Sequence, residues 1–185
     1  MTEALEHVGP WTAGDLARLP EDGQRYEIID GSLLVSPPPS PRHQLVAGRI
    51  AVFLREAAPK GIDVVEAAGI TLDTGRVLVP DVVVATSAAL LADRPALEPG
   101  EVSLVVEVVS PSSAAMDQVM KPHLYARAGI PWMWRASFGP GGVEVCVMRL
   151  SGASYVEETV ASGDLLRVGA PYPVEIPVDR LLVAR

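Results

Sequence analysis

The stretch Ser-Leu-Val-Val-Glu-Val-Val-Ser, residues 103–110, is nearly continuous apolar and β-branched sequence, as expected of a strand buried on both faces of a sheet. Beyond it, Ser112 or Ser113 can cap a helix that runs to Ala128 and closes at Gly129. β-rich sequence then returns in PWMWRA (131–136), GVEVCVMRL (142–150) and ASYVEETV (153–160), separated by glycine turns. A strand, a helix over residues 113–128 and further strands make a crossover, which points to an α/β domain (α+β mixed sheet).

Upstream, IDVVEA (62–67), GITLDT (69–74) and RVLVPDVVVA (76–85) read as adjacent strands, the last two joined at Thr74-Gly75, with a small helical piece over 87–92. RYEIID and SLLVS flank Asp30-Gly31, the dipeptide that favours a two-residue hairpin turn. The run SPPPSPR (36–42) carries four prolines, which remove donors and fix φ, so it is an extended loop. Ser40 and Pro41 then suit the N-cap and first position of a helix whose apolar face is Val46, Ile50, Phe53, Leu54 and Ala57, ending near Pro59. A short capped helix at Thr12–Asp15 that Pro20 ends, and a last helical turn in VDRLLV (178–183), complete the reading.

The chain has 185 residues, 49% apolar and 21% charged, with 15 Lys plus Arg against 23 Asp plus Glu and a net charge of −8. These values fit one domain over 11–185 with its own core, preceded by a disordered start over 1–10. No run approaches the 18 or so apolar residues of a membrane span, and the first eleven residues lack the basic start and apolar run of a signal peptide, so a cytoplasmic protein without membrane partners is expected. The single cysteine, Cys146, excludes an internal disulfide and a Cys-rich zinc site. It reads as a small buried hydrophobe. The acidic balance opposes non-specific DNA binding.

Two acids interrupt apolar strands, Asp81 in LVPDVVV and Glu107 in LVVEVVS. An unpaired buried carboxylate costs several kcal/mol, about 2 or more, so each needs a cation, a proton or donors. If their strands are neighbours, the pair can share one metal ion, and oxygen ligands favour Mg2+ or Mn2+ over zinc. The alternative is that each is a salt-bridged or edge-exposed acid. Asp117, Lys121 and Tyr125 follow at i, i+4 and i+8, along one helical face. Such a face is commonly a solvated ion-pair stripe, but its position directly after Glu107 lets Lys121 fold back toward a metal. There it could orient a water nucleophile or stabilise charge on a phosphate.

With these pieces in place the sequence resembles the Uma-type putative restriction endonucleases of the PD-(D/E)xK superfamily. The resemblance is carried by Tyr26-Glu27-Ile28-Ile29-Asp30-Gly31, Val35-Ser36-Pro37, Pro41-Arg42-His43-Gln44 and Pro80-Asp81-Val82. It continues through Val106-Glu107-Val108-Val109-Ser110-Pro111-Ser112, Asp117, Lys121, Tyr125, Gly129-Ile130-Pro131 and Trp134. It spans roughly 11–183. It implies a restriction endonuclease-like core with flanking helices and extra β-hairpins, a divalent metal, and an Mg-dependent endonuclease acting on DNA. By the same resemblance Asp81 and Glu107 would be the metal-binding acids, and Lys121 the catalytic lysine. Val109 stands where the superfamily's ExK pattern would place that lysine. Glu27 would be a further acid of the site, or else an ordinary edge-strand acid. His43 and Gln44 match the loop–helix junction, contacting phosphate or simply capping the helix; Asp117 and Tyr125 would support Lys121 or pack.

Two departures stand out. Trp132 and Met133 replace an acidic and an aromatic position, which points to an interface or a repacked core. Pro122 directly follows Lys121, so the helix either kinks there or begins there. A catalytically silent interaction or dimerisation module using the Trp132–Trp134 segment, and a metal-dependent hydrolase of another phosphate ester, are the competing readings. The nuclease reading carries the expectation of a homodimer, and of a local basic rim from Arg42, Arg49, Arg55, Lys60 and Arg127.

Overall fold

The computed structural model describes residues 7–110 and 116–182. Of the start expected to be disordered, residues 1–6 lie outside the described residues, while the His7 ring stacks on Trp11 with centroids 3.9 Å apart. In chain order the elements are α1 (Ala13–Leu16), β1 (Arg25–Ile29), β2 (Ser32–Ser36), α2 (Pro41–Ala57), β3 (Ile62–Glu66), β4 (Ile70–Asp73), β5 (Arg76–Leu78), β6 (Val82–Thr86) and α3 (Ser87–Leu90). After them come β7 (Val102–Val108), α4 (Lys121–Arg127), β8 (Trp132–Gly139), β9 (Gly142–Ser151), β10 (Ser154–Ser162), β11 (Leu165–Val168) and β12 (Val174–Pro177). A six-stranded sheet in the order β10-β9-β8-β7-β6-β3 forms the centre, beside a four-stranded sheet β2-β1-β5-β4 and the ribbon β11-β12.

The stretch that decides the fold is the interior strand β7, antiparallel to β6 and parallel to β8. The parallel pair needs the crossover, and α4 supplies it. Val82, Val84, Leu104, Val106 and Trp134 face one core with α2, while Val83, Val105, Met133, Leu124 and Tyr125 share the other. That explains why β7 shows no polar alternation: both of its faces are covered. Helix α2 begins as its sequence requires, with the His43 N–H donating to Ser40 Oγ at 3.3 Å and Pro41 in the first turn. It buries Val46, Ile50 and Leu54, each contributing about 1.5–3 kcal/mol relative to exposure. Its far end is tied down by the Tyr172 hydroxyl, which donates to the Leu54 carbonyl at 2.8 Å.

Several expectations are corrected. Residues 76–85 are not one strand but two, β5 and β6, in different sheets. Pro80 has no N–H to give a ladder, and the chain crosses from one sheet to the other there. Consequently β3 pairs with β6, not with β4. Helix α1 stops at Leu16, ahead of Pro20, and the ribbon β11-β12 was not anticipated. The proposed caps Ser112 and Ser113 lie outside the described residues; from Met116 to Met120 the helix is a wide π turn, followed by α4 with Pro122 in its first turn. An i→i+5 turn relaxes the crowding between a proline ring and the carbonyl four residues back. The Trp132–Trp134 segment is no exposed contact: Trp134 and Met133 are fully buried and Trp132 partly so, which makes the unusual residues core packing.

The Asp30-Gly31 hairpin forms as its sequence predicts, with φ of 51° and 74°. The turn is also a junction, since the Trp11 N–H donates to the Gly31 carbonyl at 2.8 Å and the Gly31 N–H to the Gly75 carbonyl at 3.0 Å. A Cβ at Gly31 would lie 2.9 Å from Pro10 Cβ. Gly31→Ala is therefore expected to destabilise by about 1–2 kcal/mol through its positive φ and this contact. Gly100→Ala, where φ is ordinary and nothing lies within 4 Å, is expected to change stability by less than about 0.5 kcal/mol in the same urea titration.

Candidate active site

The carboxylates of interest meet where the two larger sheets adjoin. The β6–β7 register pairs Val82 with Val106, and carrying it one residue further sets Asp81 opposite Glu107. The Val108 N–H reaches across to Asp81 Oδ2 at 2.7 Å. Asp81 lies just outside β6, after Pro80, and so meets groups from both sides of the sheet. Arg25 Nη2 donates to its Oδ1 at 2.5 Å, and His43 Nε2, near the N-terminus of α2, lies 3.3 Å from Oδ2. Burial raises the Asp81 pKa, but His43, Arg25 and the Val108 N–H outweigh it and hold the carboxyl below its ordinary value.

Glu107 is fully enclosed on the α4 side of the sheet. The Tyr125 hydroxyl donates to its Oε1 at 2.6 Å, and Lys121 Nζ stands 3.1 Å from Oε1 and 3.3 Å from Oε2. Lys121 also lies 3.1 Å from Glu27 Oε1 and 3.6 Å from Asp117 Oδ1. Glu27 is fixed in turn by the Val79 N–H, which donates to the same oxygen at 2.9 Å. Glu27, Asp81, Glu107, Asp117 and Lys121 are all buried.

Four carboxyl groups thus surround two permanent cations, Lys121 and Arg25, so the acids of the cluster outnumber its cations by two. Burial, together with Asp81, Asp117 and Glu27 and against the pull of Lys121, pushes the Glu107 pKa up to about 8. Burial opposes the charge on Lys121, but Glu107, Glu27 and Asp117 more than compensate and raise its pKa. Burial and the neighbouring Glu107 and Glu27 charges raise Tyr125 well above the ordinary phenol value, so it remains a donor.

A cleft of about 550 Å³ opens on this cluster, lined by Arg25, Glu27, His43, Asp81, Asp117 and Lys121 on one side and by the Pro37–Pro39 loop on the other. The hard-oxygen donors and the excess of acids over cations suit a divalent cation such as Mg2+ or Mn2+. Among the described residues, however, no three His, Cys, Asp or Glu side chains are gathered as a ready cage. The oxygens of Asp81 and Glu107 are engaged by protein donors instead.

The structure therefore brings together Glu27, His43, Asp81, Glu107, Asp117, Lys121 and Tyr125. It leaves Gln44 exposed, lining an adjoining hollow rather than the acid cleft. The anticipated basic rim does not line the cleft. Arg42 lies over the Phe138 ring at 4.3 Å, Arg49 donates to the Arg180 carbonyl, and Arg55 donates to the Val64 carbonyl. Sequence reasoning missed Arg25. Its signal was the two-residue spacing to Glu27, which in a strand places both side chains on one face.

An interior strand pair carrying opposed acids, with a buried lysine supplied by the crossover, defines a restriction endonuclease-like domain. Residues 13–179 match the family described as "Uma2: Putative restriction endonuclease", and the chain belongs to that family. The fold is similar to that in the crystal structure of "a putative nuclease belonging to DUF820" from Anabaena variabilis ATCC 29413, with a TM-score of 0.67 and 16% identity, covering 88% of this chain and 90% of that one. No curated protein matches the chain. Among the described residues no helix is long and apolar enough to cross a membrane.

Proposed function

We propose that the protein is an endodeoxyribonuclease that hydrolyses DNA phosphodiester bonds with a divalent cation, Mg2+ or Mn2+, held by Asp81 and Glu107. The observation that carries this reading is the charge arrangement: one lysine among Glu27, Glu107 and Asp117, with Asp81 nearby, where Lys121, Glu27, Asp117 and Asp81 line one cleft and Glu107 is enclosed directly behind Lys121. Purely structural burial of so many acids around so few cations would be costly. When bound, the cation supplies Lewis-acid stabilisation of phosphate oxygens and a more acidic water.

The chain's own groups have separable tasks. Lys121 has three ammonium hydrogens, and its carboxylate partners fix the direction of the amine. It can stabilise negative charge building on the phosphate, or orient the attacking water. Tyr125 holds Glu107 Oε1, leaving the rest of that carboxylate turned toward Lys121. The Val108 N–H and His43 hold Asp81. The N-terminus of α2, directed at the same cleft, adds a partial positive charge that favours an approaching phosphate. With a cation bound, Lys121 and this helix terminus would add local attraction that the net charge of −8 does not.

Asp81→Ala tests the reading. Calorimetric titration of Mg2+ and Mn2+ should show binding to the wild type and loss of it in the variant. Cleavage of single-stranded and duplex DNA should fall by at least about 100-fold. Metal binding without cleavage of any DNA would redirect the site to another phosphate ester. Absence of both in the wild type would leave the silent module.

A further inference from the structure

Asp81 holds three donors, and they differ in how readily they can leave. The Val108 N–H belongs to the backbone of an interior strand, and His43 is packed within the first turn of α2. Arg25 is different. It is the first residue of β1, its side chain is 19% exposed, and it lines the acid cleft and two adjoining hollows. Among the described residues its only side-chain hydrogen bond is the one to Asp81 Oδ1. The other guanidinium N–H groups remain available to water or a ligand.

A divalent cation on Asp81 Oδ1 and a guanidinium 2.5 Å from that oxygen would compete for the same lone pairs and repel each other. We propose that Arg25 is the resident counter-ion of Asp81, gives up this carboxylate when a divalent cation binds, and turns its guanidinium to a non-bridging oxygen of the substrate phosphate. The inference rests on the metal-dependent nuclease reading above. Three features support it. Arg25 neutralises Asp81 while no cation is bound, so the acid can be buried without collapse of the cleft. The planar fork of arginine matches phosphate better than lysine does. Its position at the shared wall of the cleft and the adjoining hollows lets it move from one partner to the other without leaving the site.

The test compares wild type, Arg25→Gln and Arg25→Lys as full chains. Calorimetry reads Mn2+ affinity without DNA, anisotropy reads binding of a short duplex in Ca2+, and a Mg2+ assay reads cleavage. Arg25→Gln is expected to bind Mn2+ about tenfold more tightly and duplex DNA about tenfold more weakly, two shifts of opposite sign. Arg25→Lys guards against a folding failure in the glutamine variant. It keeps a charge beside Asp81, so its Mn2+ affinity should stay within about threefold of wild type while cleavage falls about tenfold. Weaker Mn2+ binding in Arg25→Gln would mean that Arg25 merely props Asp81 in place, and would overturn the proposal. Unchanged Mn2+ affinity in Arg25→Gln, or wild-type cleavage by Arg25→Lys, would overturn it as well. A wild type that neither binds Mn2+ nor cuts DNA removes the nuclease reading itself, and this proposal with it.

Discussion

Lys121→Met is expected to lower the stability of the metal-free protein by about 3–5 kcal/mol, the range seen when one partner of a buried ion pair is removed. Glu27, Glu107 and Asp117 all lie within 3.6 Å of the lost ammonium, so three buried carboxyl groups lose the cation they share. Urea unfolding at pH 7.5 and pH 5 checks the cause. The deficit should shrink at the lower pH, because carboxylates that have lost their counter-ion take up protons more readily there. Cleavage should fall by at least about 100-fold, as for loss of a charge-stabilising donor. Added Mg2+ should restore part of the stability and none of the activity. A variant that unfolds early yet cuts at the wild-type rate would give Lys121 a structural role alone.

Glu107→Gln has the opposite effect on the metal-free fold. The folded-state pKa of Glu107 is raised to about 8 from an ordinary 4.5. The native protein therefore keeps a proton in that window which the unfolded chain releases. The associated stability is fully present below the ordinary value and is lost as pH rises through about 8. The wild type should lose stability between pH 5 and pH 8.5 with a slope of at most about 1.4 kcal/mol per pH unit. The glutamine variant should show a flatter profile and be the more stable of the two above pH 8, while cutting DNA at least about 100-fold more slowly. Equal slopes in the two proteins would place the titrating proton elsewhere in the cluster.

The sequence makes β7 legible because a strand covered on both sides has no polar positions to disguise it. Asp81 and Glu107 stand out for the same reason: a charge amid valines needs a partner. The hairpin at Asp30-Gly31 and the start of α2 at Ser40-Pro41 are equally plain, since turn and cap chemistry is local. The two-sheet path of residues 76–85 is not legible, because β5 and β6 have the same composition and only the partner strands distinguish them. Arg25 escapes notice because its role depends on a contact with Asp81 that spans two sheets. The anticipated rim of arginines fails on similar grounds. Charge counts do not say which guanidinium already has a carbonyl or a ring to bind.

The chain path also bears on the order of assembly. Strands β8, β9 and β10 form an antiparallel meander joined by short turns, so their pairing closes small loops and carries little entropic penalty. The β7–β8 pair is parallel and spans the crossover, and Glu27, Asp81, Glu107 and Lys121 come from four separate parts of the chain. Such non-local contacts are expected to form late. The acid cluster would then contribute little to the rate-limiting barrier, and substitutions in it should accelerate unfolding while leaving refolding nearly unchanged. The meander's timing would be independent of the acid cluster, and that cluster would be the last part of the molecule to become specific.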